Sequence, residues 1–205
     1  ASAAHDKMDF ISRFYDRDGK LKYALAGLLQ QPKFGTYDIS LKPDSLILNY
    51  QQWSVAPNNV VHIASNDLRI DNFMLNRNFQ QFSLKSKGNM VNAPAEASFT
   101  SFQISTLAAF VTNDTLAADG TLDGEITLYN LTKQPMFSGD LKITGLNFKR
   151  DTVGNILVKA RNTTPEIINA DIVLTGRGNH ANINGNFYLK PVNGNDFDFK
   201  LSLDT

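Results

Sequence analysis

The chain has 205 residues, 42% hydrophobic and 20% charged, an ordinary globular composition long enough to bury a core in one large or two small domains. Its 20 basic and 20 acidic residues cancel, which argues against a dominant nucleic-acid role, because phosphate binding needs a basic surplus on one face. The absence of cysteine excludes disulfides, thiolate metal sites and a cysteine nucleophile. No run approaches the roughly 18 apolar residues of a membrane span; the nearest is Tyr23-Ala24-Leu25-Ala26-Gly27-Leu28-Leu29.

Ala1-Ser2-Ala3-Ala4 has neither the charged nor the apolar region of a signal peptide and reads either as a cloning remnant or as the start of an excised domain. Strands are expected over 9–15 and 20–26, joined by the hairpin turn Asp16-Arg17-Asp18-Gly19. Further strands are expected over 36–41 and 45–50, separated by the turn Lys42-Pro43-Asp44. After Trp53, the break Ala56-Pro57-Asn58-Asn59 precedes strands at 60–64, 68–75 and 81–85, with a bulge at Asp71-Asn72 where the alternation slips. Residues 87–98 are rich in small and breaking residues and read as a loop or linker. The chain then divides into a β-meander over 1–86 and a second over 99–205, continuous with the first sheet. A helix of about two turns is predicted over 105–111, with Ser105 as N-cap and a stop at Asn113-Asp114.

From Thr121 onward, apolar residues recur at every second position, the signature of half-buried strands. They are Ile126 and Leu128; Leu141 and Ile143; Ile156 and Val158; Ile168, Ala170, Ile172 and Leu174; Ala181, Ile183, Gly185, Phe187 and Leu189; Phe197, Phe199, Leu201 and Leu203. Asp123-Gly124, Arg177-Gly178-Asn179 and Asn193-Gly194-Asn195 fit tight turns. The expected fold is all-β: an elongated, curled antiparallel sheet whose apolar residues share one face and form an open groove. Phe102-Gln103-Ile104-Ser105 also resembles Phe199-Lys200-Leu201-Ser202, which hints at an internal repeat.

Chemical candidates are few. His5 lies in the terminus, His62 in an apolar strand and His180 on a polar strand face, with no HExxH or GxSxG spacing, so all three read as structural or surface residues. The acidic runs at 16–19 and 119–125 lack EF-hand ligand spacing and read as plain turns. Asn113, Asn130 and Asn162 begin glycosylation sequons. Trp53, Tyr50 and Tyr37 offer either core packing or an aromatic platform for sugar. The glycines are single, without the clustering of a phosphate cradle. Neither enzymatic activity nor a cofactor is expected.

One stretch has a family likeness: Ser105-Thr106-Leu107-Ala108-Ala109-Phe110, then Gly120-Thr121-Leu122-Asp123-Gly124-Glu125-Ile126-Thr127-Leu128, then Pro135 leading into Gly139-Asp140-Leu141-Lys142-Ile143. This pattern resembles the TamB (translocation and assembly module) proteins of the AsmA-like superfamily, in the form found in Bacteroidetes. The clearest portion is 99–205; Leu46 to Trp53 with Asn58-Asn59 fits the preceding region. The resemblance implies an internal, periplasmic segment of a large protein anchored in the inner membrane of a Gram-negative bacterium. It further implies a long apolar β-groove that moves phospholipid between the membranes, and a β-barrel assembly partner in the outer membrane contacted through parts absent from this sequence.

What covers the apolar face separates the readings. A closed sandwich, as in a carbohydrate- or protein-binding module, would bury it against a second sheet about 10 Å away. An open groove would shield phospholipid acyl chains, for which each methylene removed from water is worth about 0.8 kcal/mol, or on the order of 13 kcal/mol for about 16 carbons. A structural spacer is the third reading. The candidate groove residues are Ile126, Leu128, Leu141, Ile143, Ile156, Val158, Ile172, Leu174, Ile183, Phe187, Leu189, Phe197, Phe199, Leu201 and Leu203. Unpaired terminal strands also predict end-to-end self-association, through 197–203.

Overall fold

The computed structural model describes residues 2–4, 6–111, 118–149, 151–176, 178–192 and 194–204. Among them the protein is almost entirely β, with open antiparallel pairing and one short helix. Among the described residues no helix is long and apolar enough to cross a membrane. The chain forms two compact units, Ala1–Ala97 and Ser98–Thr205.

The first unit begins with β1 (Ser2–Ala4), β2 (Lys7–Tyr15), β3 (Leu21–Lys33) and β4 (Thr36–Leu41), paired in sequence. Asp16 sets the β2–β3 turn: its Oδ1 accepts the N–H groups of Asp18 and Lys20 at 3.0 and 2.8 Å, as short acidic side chains do in turns. β5 (Leu46–Leu48) is shorter than the sequence predicts, because Asn49 and Tyr50 take positive φ and turn the chain into β6 (Gln51–Val55). β7 (Val60–Ala64) joins β4 to β8 (Asp67–Asp71). The bulge expected at Asp71-Asn72 is a full break. Asn72 sits at φ 50°, a conformation its short side chain tolerates, and donates from Nδ2 to the Pro57 carbonyl at 2.6 Å. The single expected strand thus becomes β8 and β9 (Phe73–Arg77), and β9 pairs with β6 and β10 (Gln80–Ser86).

This unit has a conventional core. Trp53, Val55, Leu46 and Ile70 are buried from β5, β6 and β8, with Ala24, Ala93 and Ala95 in the remaining space. Asn59, 2% exposed, satisfies its amide completely: Oδ1 accepts from the Leu41 N–H at 2.8 Å, and Nδ2 donates to the carbonyls of Leu41 and Ala56 at 2.8 and 2.7 Å. Such pairing removes most of the cost of burying a polar group.

β11 (Ala95–Gln103) claims residues 95–98 of the expected linker. α1 (Ile104–Val111) follows at the predicted place and lies against β12 (Ala118–Tyr129). Next come β13 (Met136–Phe148), β14 (Asp151–Thr164), β15 (Ile167–Gly176), β16 (Asn179–Val192) and β17 (Asn195–Asp204), each antiparallel to the next. Asp123-Gly124 is not the predicted turn. It lies inside β12, where Gly124 at φ +133° lets the backbone run close to β13; a Cβ there would stand 2.2 Å from the Asp140 carbonyl. The acidic run at 119–125 is therefore strand, with a register shift between Asp119 and Thr121. The suggested repeat has no structural counterpart, since Phe102 to Ser105 crosses from β11 into α1 while Phe199 to Ser202 is continuous strand.

Candidate functional site

The ladders from β12 to β17 build one apolar face, row by row. Directly opposed neighbours give a first row Leu122, Ile143, Ile156, Leu174, Ala181, Leu203. A second row is Gly124, Leu141, Val158, Ile172, Ile183, Leu201, and a third is Ile126, Gly139, Ala160, Ala170, Gly185, Phe199. A fourth carries Leu128 and Phe137 at one end and Ile168, Phe187 and Phe197 at the other. At strand and residue spacings of about 4.8 and 3.4 Å, the face measures roughly 24 by 20 Å.

All the candidate groove residues stand on this face. Leu189 extends it along β16 beyond the end of β15, where its N–H donates to the Glu166 carbonyl at 2.8 Å. Leu122 and Phe137 belong to it as well. Reading Asp123-Gly124 as a turn hid Leu122, although it keeps the parity of Ile126 and Leu128. The small residues Gly139, Ala160, Ala170 and Gly185 line the middle of the third row, between bulkier ones.

The sheet is open and does not close over this face, while α1 lies against β12 at one end. Leu122 is buried, its row-mates Ile143, Ile156, Leu174 and Ala181 are half-buried, and exposure is greatest on the last strand, where Phe199 is 37% exposed, Leu201 57%, Phe197 62% and Leu203 66%. Apolar cross-strand pairs of this kind contribute roughly 0.2–1 kcal/mol each relative to alanine.

The opposite face is polar. One row reads Glu125, Asp140, Lys159, Asp171, Asn184, Lys200. Asparagines stitch its surface: Asn182 Nδ2 donates to Asp171 Oδ1 and Asn184 Nδ2 to Asn182 Oδ1, both at 3.0 Å. Three opposed pairs interrupt it with apolar or aromatic side chains, Leu157–Val173, Ile167–Tyr188 and Tyr129–Met136.

The other candidates resolve into structural roles. His62 bridges Asp38 and Asp71, its Nδ1 2.7 Å from one carboxylate and its Nε2 3.1 Å from the other. His180 is exposed opposite Thr175; His5 and Asn113 lie outside the described residues. Trp53, 1% exposed, belongs to the core, so no platform forms with Tyr50 and Tyr37. The Tyr50 hydroxyl instead donates to Asp16 Oδ2 at 2.7 Å. That bond lowers the Asp16 carboxyl, helped by the backbone N–H of Lys20, and pushes the Tyr50 hydroxyl up to about 12. Asp123 Oδ1 accepts the Ser101 N–H at 2.7 Å, and Asn162 is engaged with the Phe137 N–H and the Thr164 carbonyl. A cavity of about 650 Å³ in the first unit is lined by Leu28, Leu41 and Val60 among others; its carboxylate, Asp9, is held by Lys42 at 2.6 Å.

The site is thus a surface that can shield hydrocarbon, built without a convergence of titratable groups on its apolar side. No family model matches the chain, and neither a curated protein nor a solved structure shows significant similarity to it.

Proposed function

We propose that the β12–β17 face is a conduit for phospholipid acyl chains, within a periplasmic segment of an envelope protein that carries lipid between the inner and outer membranes of a Gram-negative bacterium. The observation that carries this reading is the set of apolar rows continuous across six strands of a sheet that stays open. A monomeric soluble domain does not ordinarily leave so large an apolar surface to water.

The work required of such a surface is physical. An acyl chain in water costs about 0.8 kcal/mol per methylene, and a face repeating similar sites from strand to strand lowers that barrier without forming or breaking a bond. The small third row, between bulkier rows, matches a slender chain lying across the strands. The buried Trp53 removes the platform on which a sugar-binding reading would rest. A β-barrel assembly partner in the outer membrane belongs to the same proposal.

A photo-crosslinking residue placed at Ile172, Leu174, Ile183, Phe187, Phe199 or Leu201 is expected to capture phospholipid in cells, whereas one at Asp171, Asn182, Asn184 or Lys200 is not, since strand neighbours face opposite sides. Ile172→Asp is expected to abolish capture at Leu174 and Ile183 while the β-type circular dichroism persists. Equal capture from both faces would defeat the conduit.

A further inference from the structure

Three apolar side chains stand largely in water at one end of the first unit: Phe34 is 100% exposed, Met90 77% and Val91 70%. Single exposed apolar residues are ordinary, but these three sit on turns that the ladders bring to one end. Phe34 tips the β3–β4 hairpin, held out by Gly35 at φ +76° and by the Thr36 hydroxyl, which donates to the Lys33 carbonyl at 2.9 Å. β4 pairs with β7 so that Tyr37 opposes Ile63, and β7 with β8 so that Ala64 opposes Asp67; the Ser65-Asn66 turn therefore ends level with the Phe34 tip. Asp67 Oδ1 in turn accepts the Asn92 N–H at 2.9 Å, which brings the turn carrying Met90 and Val91 to the same end.

A hollow of about 280 Å³ opens beside these turns, lined by Lys33, Thr36, Asp38, His62, Asp67 and Arg69 among others. Most of its charges are already engaged: Asp38 is bonded to His62, and Arg69 reaches Asp71 at 3.3 Å. Lys33 and Asp67 form no ion pair among the described residues. They stand on β3 and β8, with β4 and β7 between them, so one cation and one carboxylate remain on opposite sides of the hollow.

We propose that this end of the first unit docks on a bilayer of zwitterionic phospholipid, with Phe34, Met90 and Val91 entering the boundary between headgroups and acyl chains and the hollow taking one headgroup, its phosphate at Lys33 and its ammonium at Asp67. Counted in strand spacings of about 4.8 Å, the Phe34 tip and the Met90 turn lie roughly 15–20 Å apart, with the polar Ser65-Asn66 turn between them. A folded partner protein offers one contiguous apolar patch ringed by polar groups. Separate apolar tips suit instead a medium that closes round each of them, as the edge of the hydrocarbon layer does. Tyr37, exposed just behind the tips, then lies at the depth where aromatic rings gather in membrane interfaces.

Charge decides which membrane. Lys33 and Arg69 in the hollow are matched by Asp38 and Asp67, which leaves no basic surplus of the kind that draws a protein to anionic lipid. The docking is independent of the β12–β17 face, which belongs to the other unit.

The test uses the full chain. Since the sequence has no cysteine, a single introduced thiol is unique and can carry a polarity-sensitive fluorophore. Placed by Ser65→Cys, between the tips, the label is expected to shift to the blue when vesicles of phosphatidylethanolamine and phosphatidylcholine are added. Placed by Phe79→Cys it is not, although Phe79 is also an exposed apolar tip, because the β9–β10 turn lies at the far end of β10 from the Met90 turn. Read from the label at 65, Phe34→Ser should weaken vesicle binding about tenfold, with the β-type circular dichroism unchanged. Lys33→Asp, which sets like charge against the phosphate, should weaken it about fivefold or more. Adding phosphatidylglycerol should not strengthen it. An unshifted label at 65, an equal shift at 79, a Lys33→Asp protein that binds as tightly as the unaltered chain, or binding that rises steeply with anionic lipid would overturn the proposal.

Discussion

Gly124 shows how one residue decides the course of a strand. The Asp123-Gly124 dipeptide favours turns, yet here the glycine holds β12 against β13 at φ +133°, with no room for a Cβ beside the Asp140 carbonyl. Gly185 does the same in β16, where a Cβ would stand 2.0 Å from the Asp198 carbonyl. Both occupy apolar-face positions, and glycine inside a strand permits the local bending that a side chain would block. Gly124→Ala is expected to cost about 2–4 kcal/mol in denaturant unfolding. Gly145→Ala, at φ +63° with open space around it, should cost only about 1 kcal/mol. Glu96 gives a second prediction. Its side chain, 12% exposed, lies 2.6 Å from Lys87 and 3.2 Å from Lys85, and the hydrogen bonds from Lys87 and then Lys85 hold its carboxyl below the usual value of 4.5. A carboxyl depressed by folding stabilises the protein above its unfolded value and loses that contribution as pH falls through the folded one. Glu96→Gln should therefore lower stability by about 1 kcal/mol at neutral pH. Urea titrations of the two proteins should converge as the pH drops below 4.5.

At the level of elements, period-2 alternation located the strands well, because each of β13 to β17 puts one face on an apolar row and the other in water. Boundaries were legible where a turn glycine marked them, as at Gly178 between β15 and β16 and Gly194 between β16 and β17; Arg177 and Asn193 lie outside the described residues. They were obscure where asparagine or glycine served two purposes. Asn72 divides β8 from β9, and Asn49 ends β5, by adopting positive φ within stretches whose alternation looks continuous. The sharing of one face by strands far apart in sequence was legible in their common parity, but the row-to-row register was not. It depends on where each turn reverses the chain and on the shifts between Ile143 and Leu146 and between Asn162 and Thr164. Burial differs along a single row, and that difference is measurable. Leu122→Ala, at a buried position, is expected to cost about 2–4 kcal/mol in chemical denaturation, whereas Leu203→Ala, at the exposed end of the same row, should stay within about 0.5 kcal/mol.

At the scale of the whole molecule, the two units distribute their apolar residues differently. The first gathers Trp53, Leu46, Val55 and Ile70 into a sealed interior; the second spreads comparable side chains over an open surface. Sequence composition alone does not separate these cases, since an alternating strand looks the same whether a second sheet covers it or not. Only two residues separate each of β13 to β17 from the next, and each of these ladders joins neighbours in the sequence. Opening such a meander need not break it everywhere at once: the end strand can lift away while the rest keeps its partners, as in proteins assembled from repeated nearest-neighbour units. Backbone amide hydrogens report that kind of opening directly, because each exchanges with solvent at a rate set by the free energy of its local unfolding. Deuterium uptake in dilute solution is therefore expected to be fastest in β17, slower in β16 and β15, and slowest in β13 and β14, so that the sheet frays from one end as a zipper does. Uniform exchange across all the strands would show instead that the uncovered face unfolds as a single cooperative body.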